Sequence, residues 1–136
     1  VSTRSKARKA ALDILYESDI RNISPLVILK ERESDMEFVI RDFTKKLVIG
    51  TAENRERIDE IILMRAKGWA IDRMPVVDRN ILRLATQELL FDKSTPHSVV
   101  IDEAVELAKS LSTDDSSEYV NGVLGAIYEV KDDVTH

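Results

Sequence analysis

Val77-Asp78-Arg79-Asn80-Ile81-Leu82-Arg83-Leu84-Ala85, just beyond Pro75, is the stretch that decides the fold of this chain. Val77, Ile81, Leu84 and Ala85 recur at intervals of three and four, the spacing that lines apolar side chains along one face of an α-helix. That helix should stop before Ser94-Thr95-Pro96, because a residue preceding proline avoids the helical region. Toward the C-terminus the pattern repeats from about Ser98 with Ile101, Ala104, Val105, Ala108 and Leu111. It returns with Val120, Val123, Leu124 and Ile127 in a helix starting near Asp115 or Ser116.

Toward the N-terminus, a first helix is expected from about Thr3 to Ile20, with Ala11, Leu12, Leu15 and Tyr16 on one face. Asn22-Ile23-Ser24-Pro25 breaks it, and Leu26 to Arg32 forms a short second helix. Ser34, followed by Asp35 and Glu37, reads as a helix start, with Val39, Phe43, Leu47 and Gly50 on the stripe that follows. Asn54 is placed to cap a fourth helix bearing Ile58, Ile61, Ile62 and Met64 and ending near Gly68. No alternating strand pattern competes with these segments. The expected fold is all-α, with about seven helices.

The 136 residues are 43% hydrophobic and 33% charged, the balance of a folded globular protein. One domain is expected, burying roughly 68–70% of the surface the unfolded chain exposes. There is no cysteine, which excludes disulfides and thiolate metal sites. No apolar run approaches the roughly 18 residues of a membrane span, and no signal-peptide pattern precedes the first helix, so a cytoplasmic location is expected.

Catalytic chemistry has little to stand on. His97 and His136 have no histidine or cysteine at metal-ligand spacing. Asp102/Glu103 and Asp114/Asp115 are adjacent pairs that point different ways on a helix and lack a framing nucleophile. They read as a solvated helix face and a dipole-complementing helix start. No glycine-rich phosphate loop is present, so neither metal nor cofactor is expected.

The charge distribution is more informative than its sum. The net charge is −5, yet before Asp13 the chain carries Arg4, Lys6, Arg8 and Lys9 and no acid. Cations in the first turns of a helix oppose its macrodipole, by roughly 0.3–1 kcal/mol each. At about 100° per residue Arg4 and Arg8 share the stripe of Ala11, Leu12 and Leu15, so the core-facing stripe turns cationic toward its start. Either that turn overhangs the bundle, where guanidiniums can bind phosphate oxygens in a bidentate fashion, or it pairs with buried acid. Glu88, on an apolar stripe beside Leu84 and Ala85, is placed to neutralise Arg8. RNA recognition also uses aromatic faces for stacking. Tyr16, flanked by Leu12 and Leu15, reads as core; Tyr119, beside Ser116 and Ser117 at the edge of its helix, is the better stacking residue.

Ala7-Arg8-Lys9-Ala10-Ala11-Leu12 with Leu15-Tyr16, Val77 to Arg83, Ile101-Asp102-Glu103-Ala104-Val105-Glu106-Leu107-Ala108-Lys109, and Asp115-Ser116 followed by Tyr119-Val120-Asn121-Gly122-Val123-Leu124 together carry a resemblance. In this order they resemble the NusB family of bacterial transcription antitermination factors, over nearly the whole chain; Leu26 to Lys46 contributes little. The resemblance implies two small packed helical bundles, here roughly 1–70 and 71–136, and no enzymatic activity. It implies binding of the boxA element of ribosomal RNA transcripts together with the ribosomal protein NusE, within a larger complex of other Nus factors and RNA polymerase. Position by position, the implied RNA-binding residues are Arg4, Lys6, Arg8, Lys9, Tyr16, Ser116 and Tyr119, and Asp78 matches an acidic position of the NusE-facing surface. A homodimer, or a helical adaptor without RNA affinity, is the competing expectation, with Val27, Ile28, Met36 and Phe38 read as either core or dimer interface. A domain appended to an RNA methyltransferase is a third, disfavoured by the short chain and the missing cofactor loop.

Overall fold

The computed structural model describes residues 2–66 and 69–130. Among these residues seven α-helices follow one another: α1 (Thr3–Arg21), α2 (Pro25–Ser34), α3 (Asp42–Glu53), α4 (Arg55–Arg65), α5 (Val76–Leu90), α6 (His97–Leu111) and α7 (Asp114–Glu129), with one 3₁₀ turn at Ile71–Arg73. No strand occurs among the described residues. The fold is all-α, as the periodicity predicts.

The helix ends follow the punctuation of the sequence. Ser2 caps α1 by accepting from the Ser5 N–H, and Asn22 closes it in the left-handed region at φ 55°, where asparagine is tolerated better than most residues. Ser24 caps α2, and Pro25 occupies its first position, where a missing N–H is harmless. Thr113 caps α7 by accepting from the Ser116 N–H.

Three expectations need correction. The third helix starts at Asp42, not at Ser34, which is the last residue of α2. The carboxylate of Asp35 accepts from the Glu37 N–H, a local turn that uses the same side-chain chemistry as a helix cap. Met36 is consequently fully exposed and Val39 largely so. Asn54 precedes α4 but makes no capping bond; its amide donates to Gln87 Oε1 instead. Met64 is exposed rather than buried. The expected helix end at Gly68 lies outside the described residues.

At the centre is α5, which packs against α1, α3, α4, α6 and α7. A helix surrounded on all sides is normally apolar all round. This one buries Ile81, Leu82, Leu84, Ala85, Leu89 and Leu90, but also Asp78, Asn80, Arg83, Gln87 and Glu88. Buried polar groups must find partners or forfeit their hydration: Asn80 and Arg83 meet Asp19 on α1, Glu88 meets Arg8 on α1, Gln87 meets Asn54 and Asp78 meets Ser116 on α7. One continuous apolar cluster, from Ala11 on α1 to Ile127 on α7, fills the space between.

Candidate nucleic-acid interface

The start of α1 divides its cations between inside and outside. Arg8 is buried, 3% exposed, and forks onto Glu88 of α5, Nε to Oε2 at 2.7 Å and Nη2 to Oε1 at 2.9 Å. Burial acts to lower the Arg8 pKa, but the bonds and charge of Glu88, with Glu103 and Asp92 nearby, outweigh it and hold the pKa above its ordinary value. Arg8 thus faces the interior rather than an approaching ligand, the pairing that the position of Glu88 on its stripe predicts.

Arg4, Lys6 and Lys9 have different surroundings. Arg4 and Lys6 are exposed, with no carboxylate within ion-pair distance among the described residues. Arg4 donates from Nη1 to Thr95 Oγ1 at 3.0 Å and lies over the Phe43 ring, 4.3 Å from its centroid. Lys9 is partly exposed and pairs with Asp13 one turn on, at 2.7 Å. An exposed pair of this kind is worth little and readily yields to another anion. Tyr16, read as core, is 41% exposed. One step past Leu15 takes its ring off the buried stripe, and it shares the face of Lys9, seven residues or about 10 Å back along the axis.

The second candidate region is the start of α7. Trp69, Pro75, Ser112, Thr113, Asp115, Ser116 and Tyr119 line a cleft of about 670 Å³. Trp69 meets Tyr119 edge to face, centroids 5.2 Å apart and planes at 62°. The Tyr119 hydroxyl is buried with no hydrogen-bond partner among the described residues, and burial pushes its pKa up. Ser116 donates its hydroxyl to Asp78 Oδ2 at 2.8 Å. Asp78, expected to face a partner protein, is only 1% exposed; its carboxylate is turned inward to hold α7. Trp69 escaped the sequence reading because nothing local distinguishes a cleft wall from core.

The anchors of the two regions lie at opposite ends of α5. Arg8 is fixed to Glu88 near the end of α5 and Ser116 to Asp78 near its beginning, ten residues apart, or roughly 15 Å of helix. From Arg4 to Tyr16, α1 runs antiparallel to α5, toward the end that holds Ser116, because Asp19 meets Arg79 and Asn80 there.

A third constellation was not foreseen. Oδ2 of Asp19 accepts from Arg79 Nε at 3.0 Å, Asn80 Nδ2 at 2.8 Å and Arg83 Nη1 at 3.0 Å. Arg83 also donates from Nε to Asp59 Oδ1 at 2.9 Å, and Arg55 bonds the same carboxylate. Burial pushes the Asp19 carboxyl up, but Asn80, Arg83 and Arg79 overcome this and hold it below the usual range. Every charge here has a partner, so the cluster reads as a clamp between α1, α4 and α5.

Among the described residues no group of His, Asp and Glu side chains is placed to hold a metal ion, and no helix is long and apolar enough to cross a membrane. What the fold presents is an exposed cationic start of α1 and an aromatic-walled cleft at the start of α7, on an all-helical protein with no strand among the described residues. Residues 5–129 match the family model described as the NusB family. The chain belongs to the NusB family of transcription antitermination proteins, which are factors rather than enzymes.

Its relatives include the transcription antitermination protein NusB of Streptomyces avermitilis, 48% identical over 136 residues, covering 96% of this chain and 94% of that protein. The NusB of Saccharopolyspora erythraea is 47% identical over 134 residues, covering 97% and 90%. Among solved structures, T. maritima NusB superposes with a TM-score of 0.83 at 36% identity over 94% of this chain and 92% of that one. A chain in the crystal structure of antitermination factors NusB and NusE in complex with dsRNA gives 0.83 at 36% identity, covering 93% and 96%.

Proposed function

We propose that this chain binds the boxA element of nascent ribosomal RNA transcripts together with the ribosomal protein NusE. Joined by other Nus factors on RNA polymerase, the assembly then supports processive transcription in the bacterial cytoplasm. The observation that carries the reading is the exposed cationic first turn of α1, Arg4 and Lys6, on a chain whose net charge is −5. A protein that repels polyanions overall gains local phosphate affinity only where such a turn is left uncompensated. The likeness to a chain crystallised with NusE and dsRNA supports the choice of partners.

In this reading Arg4, Lys6 and Lys9 contact phosphates, Lys9 by exchanging Asp13 for the ligand. Tyr16 offers a ring about two turns further along α1, and the Tyr119–Ser116 cleft takes RNA at the other end of α5. Arg8 supports the face from beneath. The experiment is a titration of a boxA RNA oligonucleotide at several salt concentrations, with and without NusE. Arg4→Ala and Lys6→Ala should each weaken binding and flatten the salt dependence by about 0.7 per phosphate contact on a single strand. Unchanged affinity and slope in a folded double variant would refute it.

A further inference from the structure

We infer that Phe43, in the first turn of α3, is a positioning residue for RNA binding, holding the Arg4 guanidinium as a preformed phosphate fork. This rests on the reading of α1 as the RNA-binding face. The ring of Phe43 carries two guanidiniums, Arg4 at 4.3 Å and Arg8 at 5.2 Å from its centroid. Their situations differ. The charge of Arg8 is met by Glu88, whereas Arg4 has no carboxylate in reach among the described residues, and the ring face and the Thr95 hydroxyl are what fix it. The negative face of an aromatic ring attracts a cation without neutralising it, so Arg4 keeps its full charge for a ligand. A carboxylate in the same place would have oriented the side chain and cancelled its use.

The platform is itself held firmly. Phe43 packs against the buried apolar cluster, and its neighbour Thr44 donates its hydroxyl to the Ala7 carbonyl at 3.0 Å, pinning the start of α3 to α1. Arg4 remains exposed and has committed Nη1 alone, to Thr95; its other N–H donors are available to a bidentate acceptor. A long side chain already confined over a ring loses less rotamer freedom on binding than one moving freely in water. The segment around Phe43 thus contributes to recognition without touching RNA itself.

The test uses the full chain with NusE and a boxA RNA oligonucleotide, in a double-mutant cycle. Phe43→Leu keeps an apolar side chain but removes the ring, and should weaken binding about 2- to 5-fold, while Phe43→Tyr should bind like the unaltered chain. In an Arg4→Ala background Phe43→Leu should have no further effect. Arg4→Lys, which leaves α3 intact, should lose a similar factor because an ammonium lacks the planar fork. The inference is overturned if Phe43→Leu or Arg4→Lys binds normally while Arg4→Ala binds weakly, or if Phe43→Leu is equally damaging without Arg4. If Arg4→Ala itself binds normally, both this inference and the underlying reading of α1 fall.

Discussion

Arg8 on α1 and Glu88 on α5 form a two-point ion pair, 2.7 and 2.9 Å, with side chains only 4% and 2% exposed. Eighty residues of sequence separate them, so the pair is a tertiary fastening, and it underlies the turn that presents Arg4 and Lys6. Breaking such a pair from one side strands a desolvated charge. Glu88→Ala should therefore lower stability by about 3–5 kcal/mol, whereas Arg8→Met/Glu88→Leu should fall near the original stability. Urea denaturation of the three proteins checks this. Because Arg8 faces inward, the double variant should also keep its RNA affinity; a loss comparable to that of Arg4→Ala would show that Arg8 touches RNA directly.

Asp19 makes stability depend on acid. Its carboxyl lies below the ordinary value of 3.8 in the folded chain, since Asn80, Arg83 and Arg79 outweigh its burial. A depressed folded pKa contributes stability that is fully present above the unfolded value and lost as pH falls through the folded one. The stability curve should thus drop below about pH 4. Asp19→Asn should lower neutral-pH stability by about 1.5–3 kcal/mol, the worth of hydrogen bonds to a charged group, and flatten that acid limb. Glu31 and Asp92 are also held low, so the limb should shrink rather than vanish. Thermal melts from pH 2.5 to 7 give the comparison, and an unaltered acid slope would contradict the assignment.

What the sequence disclosed depended on how far the relevant partner lay. Helices with a strong apolar stripe and local stop signals, such as α5 between Pro75 and Ser94-Thr95-Pro96, were legible because their determinants sit within a few residues. Glu88 was legible as the partner of Arg8 because a charge on an apolar stripe demands one. The start of α3 was not, since Asp35 bonding to Glu37 N–H gives the same local signal as a cap. Nor was the inward turn of Asp78, or the Asp19 clamp: their partners are 38 to 64 residues away, and nothing local marks Asp-Arg-Asn on a helix as inward-facing until the surrounding helices are in place.

Gly50 shows why propensity alone misleads at α3. A methyl group built there would sit 2.3 Å from Gln87 Nε2 and 2.9 Å from its Cδ. Glycine to alanine inside a helix should favour folding by about 1 kcal/mol. Here the amide of Gln87, itself 6% exposed, would have to swing away and give up its bond from Asn54, leaving buried polar atoms unmatched. Gly50→Ala is therefore expected to destabilise by about 1–2 kcal/mol, and shortening the obstacle in Gly50→Ala/Gln87→Ser should recover most of the loss. A single variant that melts higher than the unaltered chain would refute the steric account.

Asp78 and Ser116 supply the last prediction, which concerns how a buried acid influences a binding surface. The carboxylate accepts from the Ser116 hydroxyl at 2.8 Å, and Ser116 sits one turn before Tyr119 on the wall of the α7 cleft. At 1% exposure Asp78 offers a partner almost no surface, so any effect on NusE binding must pass through the start of α7. Asp78→Ala and Ser116→Ala should each lower stability by about 1–2 kcal/mol. Together they should lose less than the sum, because residues sharing one bond are coupled. The two single variants should also weaken NusE association to the same degree in a calorimetric titration. Normal association by Ser116→Ala beside a clear defect in Asp78→Ala would mean that the carboxylate turns outward to meet the partner, and the indirect route would be wrong.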